Sequence, residues 1–418
     1  MTKTEGARDT GARITDEGIE RYRARIGVPV PEPPPNNREG FFDTMRHFSL
    51  AYGDDNPLYC DPEHARTTRW GGCIGPPFYL MTMGESEVSE VPRDVRERAK
   101  GALVGVHMFH AGSEWWFYEP VRTGDRCAST RRLTDVELKE SEFGGGRSVI
   151  SHVQIDYLRR RDRAMFAEHR FWFVHTEREA SKKAGKERSV EFASWTSEQI
   201  EEIEQQILAE RPRGAEPRSW EDVEVGESLG QLLKGPLHVT DIVGLHVGLG
   251  PGEYGWGALR LATKRRRESK GLYTRDSAGS WDVVQRLHWD PGWAQEIGAA
   301  RTYDYGMMRM MWLGHLCTDW MGDDAWLARL RCEFRKFNYV GDLQTITGSV
   351  TAKPAPGVVE VDLAATNQRG EVTCPGDATI LLPMRDGTLP DLPTPAPWVD
   401  AASGVSSGVD RRGRPTPA

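Results

Sequence analysis

The sequence predicts a protein of the α+β class that contains two copies of one domain. A short phrase occurs twice, because Leu58–Ala65 returns as Leu287–Ala294 with the shared pattern L-[YH]-x-D-P-x-x-A. In each half, helix-like segments and a glycine-rich loop come before segments with the two-residue alternation of strands. The copies lie about 230 residues apart, which is too long for a solenoid repeat and indicates a tandem duplication. Tyr59 in the first copy becomes His288 in the second.

Composition narrows the class of protein. The chain has 418 residues, 38% of them hydrophobic and 28% charged, with a net charge of -8. This balance is typical of soluble globular domains, and the acidic charge argues against nucleic acid or an acidic membrane as a partner of the whole molecule. No apolar run reaches the ~20 residues that span a bilayer, and the polar N-terminus does not resemble a secretory signal. The six cysteines form no CxxC pair, so we expect reduced thiols, no cysteine-bound metal and a cytoplasmic location.

Composition shifts divide the chain into five predicted regions. Small polar residues open the chain, a charged segment separates the two halves, and a Pro/Gly/Ser-rich stretch closes it. The predicted regions are a disordered N-terminus (1–15), a first domain (16–176), a charged linker with a helix (177–215), a second domain (216–384) with an insertion at about 251–282, and a disordered tail (385–418).

The helices of the first half follow from capping signals and apolar spacing. Thr15-Asp16-Glu17 is a typical helix start, and Gly27 ends that helix. Apolar residues recur along Phe41–Tyr52 at helical spacing, and Gly53 stops the pattern. Pro76 and Pro77 suit the first turn of a third helix, which is expected to continue through Phe78–Met83.

Strands are predicted after these helices, at Trp115–Tyr118, Ser148–Leu158 and Ala164–Val174. The second half repeats the order, with helices predicted at His238–His246 and at about Gly306–Met321 and strands after them. The two halves also correspond in spacing, because Phe117 and Phe334 each lie seven residues before a Gly-Asp pair. A central helix must cover one face of each sheet, and the two sheets could pair side by side into one.

These motifs resemble the MaoC-like dehydratases, the (R)-specific enoyl-CoA hydratase branch of the hot-dog fold. Gly53–Pro62 matches the family pattern G-D-x-N-P-[LI]-H-x-D-P at nearly every position, and Trp70–Pro77 resembles the glycine-rich turn that follows it. The spacing from Phe117 to Gly124-Asp125, with Pro120 and Val121, resembles the family's strand signature. The resemblance covers roughly 17–176 and 216–384, and it implies a double hot-dog, with a central helix wrapped by an antiparallel sheet in each half.

The resemblance also implies a chemistry. In family members an Asp and a His, five positions apart on one loop, hold and activate a water that adds across the double bond of a trans-2-enoyl thioester. The thioester oxygen is expected to meet backbone N–H groups at the N-terminus of the central helix. The substrate would be an acyl-CoA thioester, with coenzyme A as part of the substrate and no separate cofactor or metal. Breakdown of fatty or other carboxylic acids, or of steroid-like compounds, is the setting that the resemblance suggests.

Both halves depart from the family pattern. The first keeps Asp54 and Asn56 but has Tyr59 where the family has its His, and a phenol with a pKa near 10 is a poor base at neutral pH. The second has His288, but Val283 lies five residues upstream, and Asp282 is one position too far. Neither half therefore carries the Asp/His pair in its usual spacing.

Three hypotheses follow from this split pair. In the first, the second half is an active hydratase in which His288 works with Asp282, or Asp290, as a substitute acid, while the first half is an accessory, Tyr-bearing type. In the second, Asp54 and His288 meet across the pseudo-twofold axis. In the third, the chain is a degenerate hot-dog protein that binds acyl-CoA or another partner without hydrating it, or a non-catalytic accessory scaffold that requires a second subunit. Thioester hydrolysis is a further alternative, and homodimerisation stays open.

Several other residues have both a functional and a structural interpretation. Asn56, Tyr59 and Gly75 are candidate substrate-binding residues of the first half, while Asp61 and Asp290 are expected to cap short helices. The basic run Lys264, Arg265, Arg266 and Arg267 is either a solvated face or a clamp for the phosphates of coenzyme A. Trp256, Trp281 and Trp289 flank the insertion and would favour a bulky acyl group if they line a pocket. Four histidines in apolar surroundings are expected to be core residues: His107, His110, His246 and His315.

Overall fold

A computed structural model describes residues 13–141, 146–177, 190–250 and 259–395. The outer parts of the predicted N-terminus and tail, the first part of the charged linker (178–189), and Trp256 in the insertion lie outside the described residues. The helices are α1 (Asp16–Arg23), α2 (Phe42–Ala51), α3 (Pro57–Cys60), α4 (Pro62–Thr67), α5 (Arg93–Arg98), α6 (Ser197–Ala209), α7 (Val239–Leu249), α8 (Arg260–Glu268), α9 (Pro291–Glu296) and α10 (Gly306–Met321). No helix in the described part of the chain is long and apolar enough to cross a membrane.

Eleven strands of the described residues form one sheet, and two more form a small hairpin. The strands are β1 (Pro29–Val30), β2 (Glu85–Ser86), β3 (His107–Phe117), β4 (Cys127–Ser141), β5 (Gly146–Arg159), β6 (Met165–Thr176), β7 (Ser228–Lys234), β8 (Tyr273–Arg275), β9 (Trp281–Val283), β10 (Trp326–Glu333), β11 (Gln344–Ala355), β12 (Val358–Asn367) and β13 (Val372–Leu381). The large sheet has the order β1-β4-β5-β6-β3-β10-β13-β12-β11-β7, with β2 parallel to β4, and the hairpin pairs β8 with β9.

The two halves join through one strand pair. β3 and β10 run antiparallel, with Trp115 opposite Leu330 and Ser113 opposite Cys332. Outward from this seam the strands follow in matching order, β6-β5-β4-β1 on one side and β13-β12-β11-β7 on the other. The expected pairing of two sheets into one continuous sheet is therefore confirmed, and the α+β class with it.

Helix α10 is the core of the molecule. Every residue from Met308 to Met321 is buried, and the helix is apolar on almost all sides. A helix of this kind is stable only when it is enclosed by other elements. It contacts β3 of the first half and β7, β10, β11, β12 and β13 of the second. The sequence prediction of a helix at about Gly306–Met321 is confirmed.

The helix predicted after Pro76 is not formed as expected. Phe78 has φ 71°, in the left-handed region, and only a short 3-10 turn follows, over Tyr79–Thr82. The ring of Phe78 packs directly against Gly314 of α10. A Cβ added to Gly314 would lie only 2.7 Å from Cε2 of Phe78, so the contact requires glycine. Phe78 also makes edge contacts with Trp115 and Phe117. Packing of Phe78 against α10 and these two rings thus takes the place of the predicted helix.

Candidate functional site

The second copy of the repeated phrase is held in place by Arg286. Strand β9 leads directly into a 3-10 turn over Val284–His288, and Arg286 is 3% exposed. Its guanidinium donates to Thr274 Oγ1 at 2.7 Å and to the carbonyl of Arg275 at 3.0 Å, both in the β8–β9 hairpin. It also pairs with Asp290 at 3.2 Å. One buried cation therefore fixes the insertion and the repeated phrase to each other.

His288 is buried and has a defined tautomer. Its Nδ1 lies 2.7 Å from the carbonyl oxygen of Tyr303, so Nδ1 carries the proton and Nε2 keeps its lone pair. The imidazole lies over the ring of Tyr305, with centroids 3.8 Å apart. Burial lowers the pKa of His288 to about 3, against the weaker opposite effect of the Tyr303 carbonyl. The residue is therefore a neutral imidazole at physiological pH, with the Nε2 lone pair available as a base.

A second imidazole contacts the same phenol. The hydroxyl of Tyr305 forms a short hydrogen bond with Nε2 of His246, near the end of α7. Burial lowers the pKa of His246, so this ring too is neutral near pH 7. Trp289 packs edge-on against His246, with centroids 5.4 Å apart. We call His246, His288, Tyr303 and Tyr305 the His288 cluster.

A polar network fixes the chain beneath this cluster. Asp304 lies between the two tyrosines and pairs with Arg309 at 2.9 Å, while Asn338 donates to the same carboxylate at 3.0 Å. Gln344 donates to Asn338, and the Thr373 hydroxyl donates to Gln344. Burial raises the pKa of Asp304 to about 6 in spite of the guanidinium beside it. The network locks the first turn of α10, and with it the position of Tyr305.

The His288 cluster lies at the N-terminus of α10. Tyr305 is the N-cap residue, and Gly306 opens the helix. The first N–H groups of a helix have no intrahelical acceptor, and the helix dipole makes this end electropositive. Gly306 is required for close packing, because a Cβ would lie 2.8 Å from Cγ of Phe334. A neutral base, a phenol and an electropositive helix end therefore meet at one place.

The structure places Asp54 elsewhere, against α10. Its Oδ1 lies 3.5 Å from Nε2 of His315, and that nitrogen lies 3.2 Å from Oδ2 of Asp319, one helical turn further along α10. Lys234 Nζ is 2.9 Å from His315 Nδ1 and donates to the Gly53 carbonyl at 3.0 Å. We call Asp54, His315, Asp319 and Lys234 the Asp54 cluster. The first-half motif thus meets a histidine of the second half, and that histidine is His315.

The other first-half candidates surround this cluster. Asn56 caps α3 by accepting from the N–H of Leu58 at 3.0 Å. Tyr59 is 2% exposed, and burial raises its pKa well above the usual value, so its phenol stays protonated. Tyr59 lines an apolar pocket with Gly75, and the N–H of Gly75 is bonded to the carbonyl of Val121 at 2.8 Å.

The proposed acids of the second half have other partners. Asp282, in β9, accepts from the N–H of Val283, and within the described residues it forms no ion pair with His288. Asp290 caps α9 by accepting from Trp293 N–H, and Asp61 caps α4 in the same way, as expected. The pairing of His288 with Asp282 stays a prediction that no contact in the described part of the chain supports.

The basic run forms most of α8. Lys264 and Arg267 are exposed, while Arg265 and Arg266 are half-buried. Arg266 lies over the ring of Trp281, 5.7 Å from its centroid, and Arg265 lies 3.7 Å from Glu268. Because Trp281 belongs to the hairpin that Arg286 joins to the repeated phrase, the run is attached to the same part of the molecule as His288.

Several site residues were missed from the sequence. Tyr305 belongs to no motif, and His246 and His315 were expected to be ordinary core residues. Two signals could have been used. His315 and Asp319 have the four-residue spacing that places two side chains on one helix face, and Tyr305 directly precedes the most apolar helix of the chain.

Comparison with known proteins supports the fold and the family. A model of the FAS1-like dehydratase domain region matches residues 42–165. A UPF0336 protein of Streptomyces griseus is 30% identical over 105 residues, which are 25% of this chain and 67% of that protein. A UPF0336 protein of Streptomyces avermitilis is 28% identical over the same length and covers the same shares.

Solved structures extend the similarity to both halves. A MaoC-like dehydratase superposes with TM-score 0.57 at 15% identity and covers 86% of this chain and 99% of its own. A MaoC domain protein of Chloroflexus aurantiacus superposes with TM-score 0.52 at 13% identity, over 85% of this chain and 96% of its own. The chain belongs to the MaoC-like dehydratase family. The family suggests hydratase or dehydratase activity, and the predicted double hot-dog fold is confirmed.

Proposed function

We propose that this MaoC-like protein adds or removes water across the 2,3 double bond of an enoyl-CoA thioester, at the His288 cluster. The observation that carries the proposal is the position of His288. Its Nδ1 is tied to the Tyr303 carbonyl at 2.7 Å, and its ring lies 3.8 Å from that of Tyr305, at the N-terminus of α10. Hydration of an enoyl thioester needs a base, a proton donor and a group that stabilises charge on the thioester oxygen, for which an electropositive helix end is suited.

In the hydration direction His288 is the general base. Its Nε2 accepts a proton from water as the water oxygen bonds to the β-carbon of the enoyl group. An imidazole with a pKa of about 3 is a weak base when it is buried alone. Negative charge that develops on the substrate in the transition state raises the pKa of His288. The imidazole therefore becomes a stronger base as the C–O bond forms.

Tyr305 is the proton donor in this proposal. Its hydroxyl gives a proton to the α-carbon, and His246, hydrogen-bonded to the same oxygen, relays a proton back to the phenolate. The proton taken by His288 returns to solvent, so one water is consumed and both side chains end in their starting states. Dehydration follows the same steps in reverse. Asp282 would then be a structural residue of the hairpin.

The α10 N-terminus stabilises the thioester oxygen. As water adds, charge moves from the double bond onto this oxygen, and first-turn N–H groups with a helix dipole behind them stabilise such an oxyanion. The first half offers no equivalent, because it has only a short 3-10 turn after Pro77, and the N–H of Gly75 is bonded to Val121. The difference between the halves favours the second as the catalytic one.

Coenzyme A is proposed to lie along α8. Lys264 and Arg267 are exposed there and can contact phosphates, and Trp281 can contact the adenine. Trp289, which packs against His246, would border the acyl group. This arrangement favours a bulky acyl group over a short one.

Turnover of a panel of trans-2-enoyl-CoA thioesters, short, long and cyclic, tests the proposal. Loss of the conjugated enoyl absorbance is followed with wild type, with His288→Asn and with the control His238→Asn, an exposed histidine at the start of α7. Turnover by wild type and the control but not by His288→Asn supports the proposal. Thioester binding without turnover on any substrate would favour a degenerate binding protein, and release of free thiol would favour a thioesterase.

A further inference from the structure

The Asp54 cluster takes no part in the proposed hydration, although it contains the most family-like motif of the chain. Asp54 follows α2 in the first half, and His315 and Asp319 lie one turn apart on α10 of the second. Asp54 is fully buried, and His315 and Asp319 are 5% and 9% exposed. Three side chains that can bind a metal thus converge in the interior, from both halves of the molecule.

Their separations match a metal coordination shell. The Nε2 of His315 lies 3.5 Å from Asp54 Oδ1 and 3.2 Å from Asp319 Oδ2, and one donor atom of each residue lies within 4.8 Å of the others. With bonds of about 2.1 Å, neighbouring ligands of a tetrahedral or octahedral ion lie about 3.0 to 3.4 Å apart. The two separations that involve His315 therefore match those of neighbouring ligands on one ion.

One carboxylate oxygen in the cluster has no hydrogen-bond partner. Asp319 Oδ1 is buried and, among the described residues, accepts no hydrogen bond. A buried carboxylate that lacks hydrogen bonds is costly, and a cation is one of the partners that removes the cost.

Lys234 is a suitable outer partner for a metal-bound His315. Its Nζ lies 2.9 Å from Nδ1 of His315 and donates to the Gly53 carbonyl at 3.0 Å. This contact fixes the imidazole with Nε2 facing the two carboxylates. The other charged groups near Lys234 are acidic: Glu210, Asp54, Asp55 and Asp319.

We propose that Asp54, His315 and Asp319 bind one divalent transition-metal ion, of which Zn²⁺ fits the donor set best. One imidazole and two carboxylates suit Zn²⁺ and the neighbouring first-row ions better than Ca²⁺ or Mg²⁺, which prefer oxygen ligands alone. The ion would connect the motif loop of the first half to the central helix of the second. Its consequence is stabilisation of the contact between the halves.

The test uses the full chain after treatment with a chelator. Zn²⁺ is titrated by calorimetry, and Co²⁺, which reports its coordination by visible absorption, is titrated separately. We expect one ion per chain, a Co²⁺ spectrum that includes a nitrogen ligand, and a rise in the thermal midpoint on adding Zn²⁺. Asp319→Asn and His315→Gln should each bind at least about 10-fold more weakly.

The matched control is His64→Gln. His64 also pairs with a carboxylate, Asp323 at 2.7 Å, and also joins the two halves, but it lies outside the cluster. This variant should bind Zn²⁺ as wild type does. Circular dichroism of each metal-free variant separates loss of binding from loss of folding, and Asp54→Asn supplies a third variant if one of the others does not fold.

Absence of saturable binding in wild type would overturn the proposal, as would binding that folded Asp319→Asn and His315→Gln retain in full. Turnover of the metal-free protein is measured alongside. Metal binding without turnover leaves this inference intact and removes the proposed function, whereas turnover without metal binding does the reverse.

Discussion

The ring of His288 lies 3.8 Å from that of Tyr305, with the His288 Nδ1 held at 2.7 Å by the Tyr303 carbonyl. This relationship places a neutral base beside a phenol at the start of the buried central helix. In the proposed function, Tyr305 at the N-cap of α10 takes the role that the loop aspartate would have in the family pattern.

Removing the phenol hydroxyl should slow catalysis more than it weakens binding. Tyr305→Phe keeps the ring that packs on His288 but loses the hydrogen bond to His246. We expect kcat to fall about 100-fold with KM little changed, because a group that transfers a proton acts in the transition state. Steady-state kinetics measure this, with Tyr22→Phe in α1 as a control. An unchanged kcat would exclude Tyr305 as the proton donor.

We expect that kcat/KM does not fall as the pH drops through the ordinary pKa of histidine. Burial lowers the pKa of His288 to about 3, so the free enzyme keeps its neutral base as the pH falls from 8 to 5. An ordinary imidazole would lose activity near pH 6.5. A fall in kcat/KM with an apparent pKa near 6.5 would contradict this prediction if it persists in Asp304→Asn. This variant is the control because Asp304, with a pKa of about 6, titrates in the same range.

A side chain at the first position of α10 should destabilise the protein. A Cβ on Gly306 would lie 2.8 Å from Phe334, so Gly306→Ala is expected to cost about 1–3 kcal/mol of unfolding free energy by overpacking. Gly292→Ala in α9 is the control, because its nearest contact would be an ordinary 3.4 Å, and it should change stability by less than about 0.5 kcal/mol. Denaturant unfolding compares the two. Equal stabilities would show that Phe334 can move away.

The exposed basic residues of α8 are expected to contribute to binding of the coenzyme A nucleotide but not to binding of the acyl group. Replacing Lys264 and Arg267 together by Ala is expected to raise KM for an enoyl-CoA about 10-fold, since two phosphate contacts of about 1 kcal/mol or less each are lost. KM for the matching pantetheine thioester, which lacks the nucleotide, should not change. Arg93→Ala with Arg98→Ala, on α5, is the control pair. An equal effect on both thioesters would place coenzyme A elsewhere.

Much of the fold could be predicted because it depends on local patterns. The apolar run of Gly306–Met321 predicts a buried helix, and the equal spacing from Phe117 and Phe334 to their Gly-Asp pairs predicts equivalent strands. These became α10, β3 and the strand β10 that ends just before Phe334. The seam between β3 and β10 follows from the duplication.

The rest depends on contacts that no local pattern contains. Phe78 takes a left-handed backbone because its ring fills the space beside Gly314, more than 230 residues away, and this contact replaces the predicted helix. Asp54 likewise meets His315, which is more than 250 residues away and belongs to no motif, rather than His288 of the second phrase. Tyr305 gains its position from the network around Asp304, whose members come from four separate segments.

A paired comparison of His288→Asn with Asp54→Asn tests most directly whether the second half carries the chemistry. Both variants are assayed on the best enoyl-CoA substrate of wild type, with folding checked by circular dichroism. We expect a loss of at least about 100-fold in kcat/KM for His288→Asn and a change of less than about 3-fold for Asp54→Asn. Loss of turnover in folded Asp54→Asn, with activity kept in His288→Asn, would contradict the claim and move the reaction to the first half.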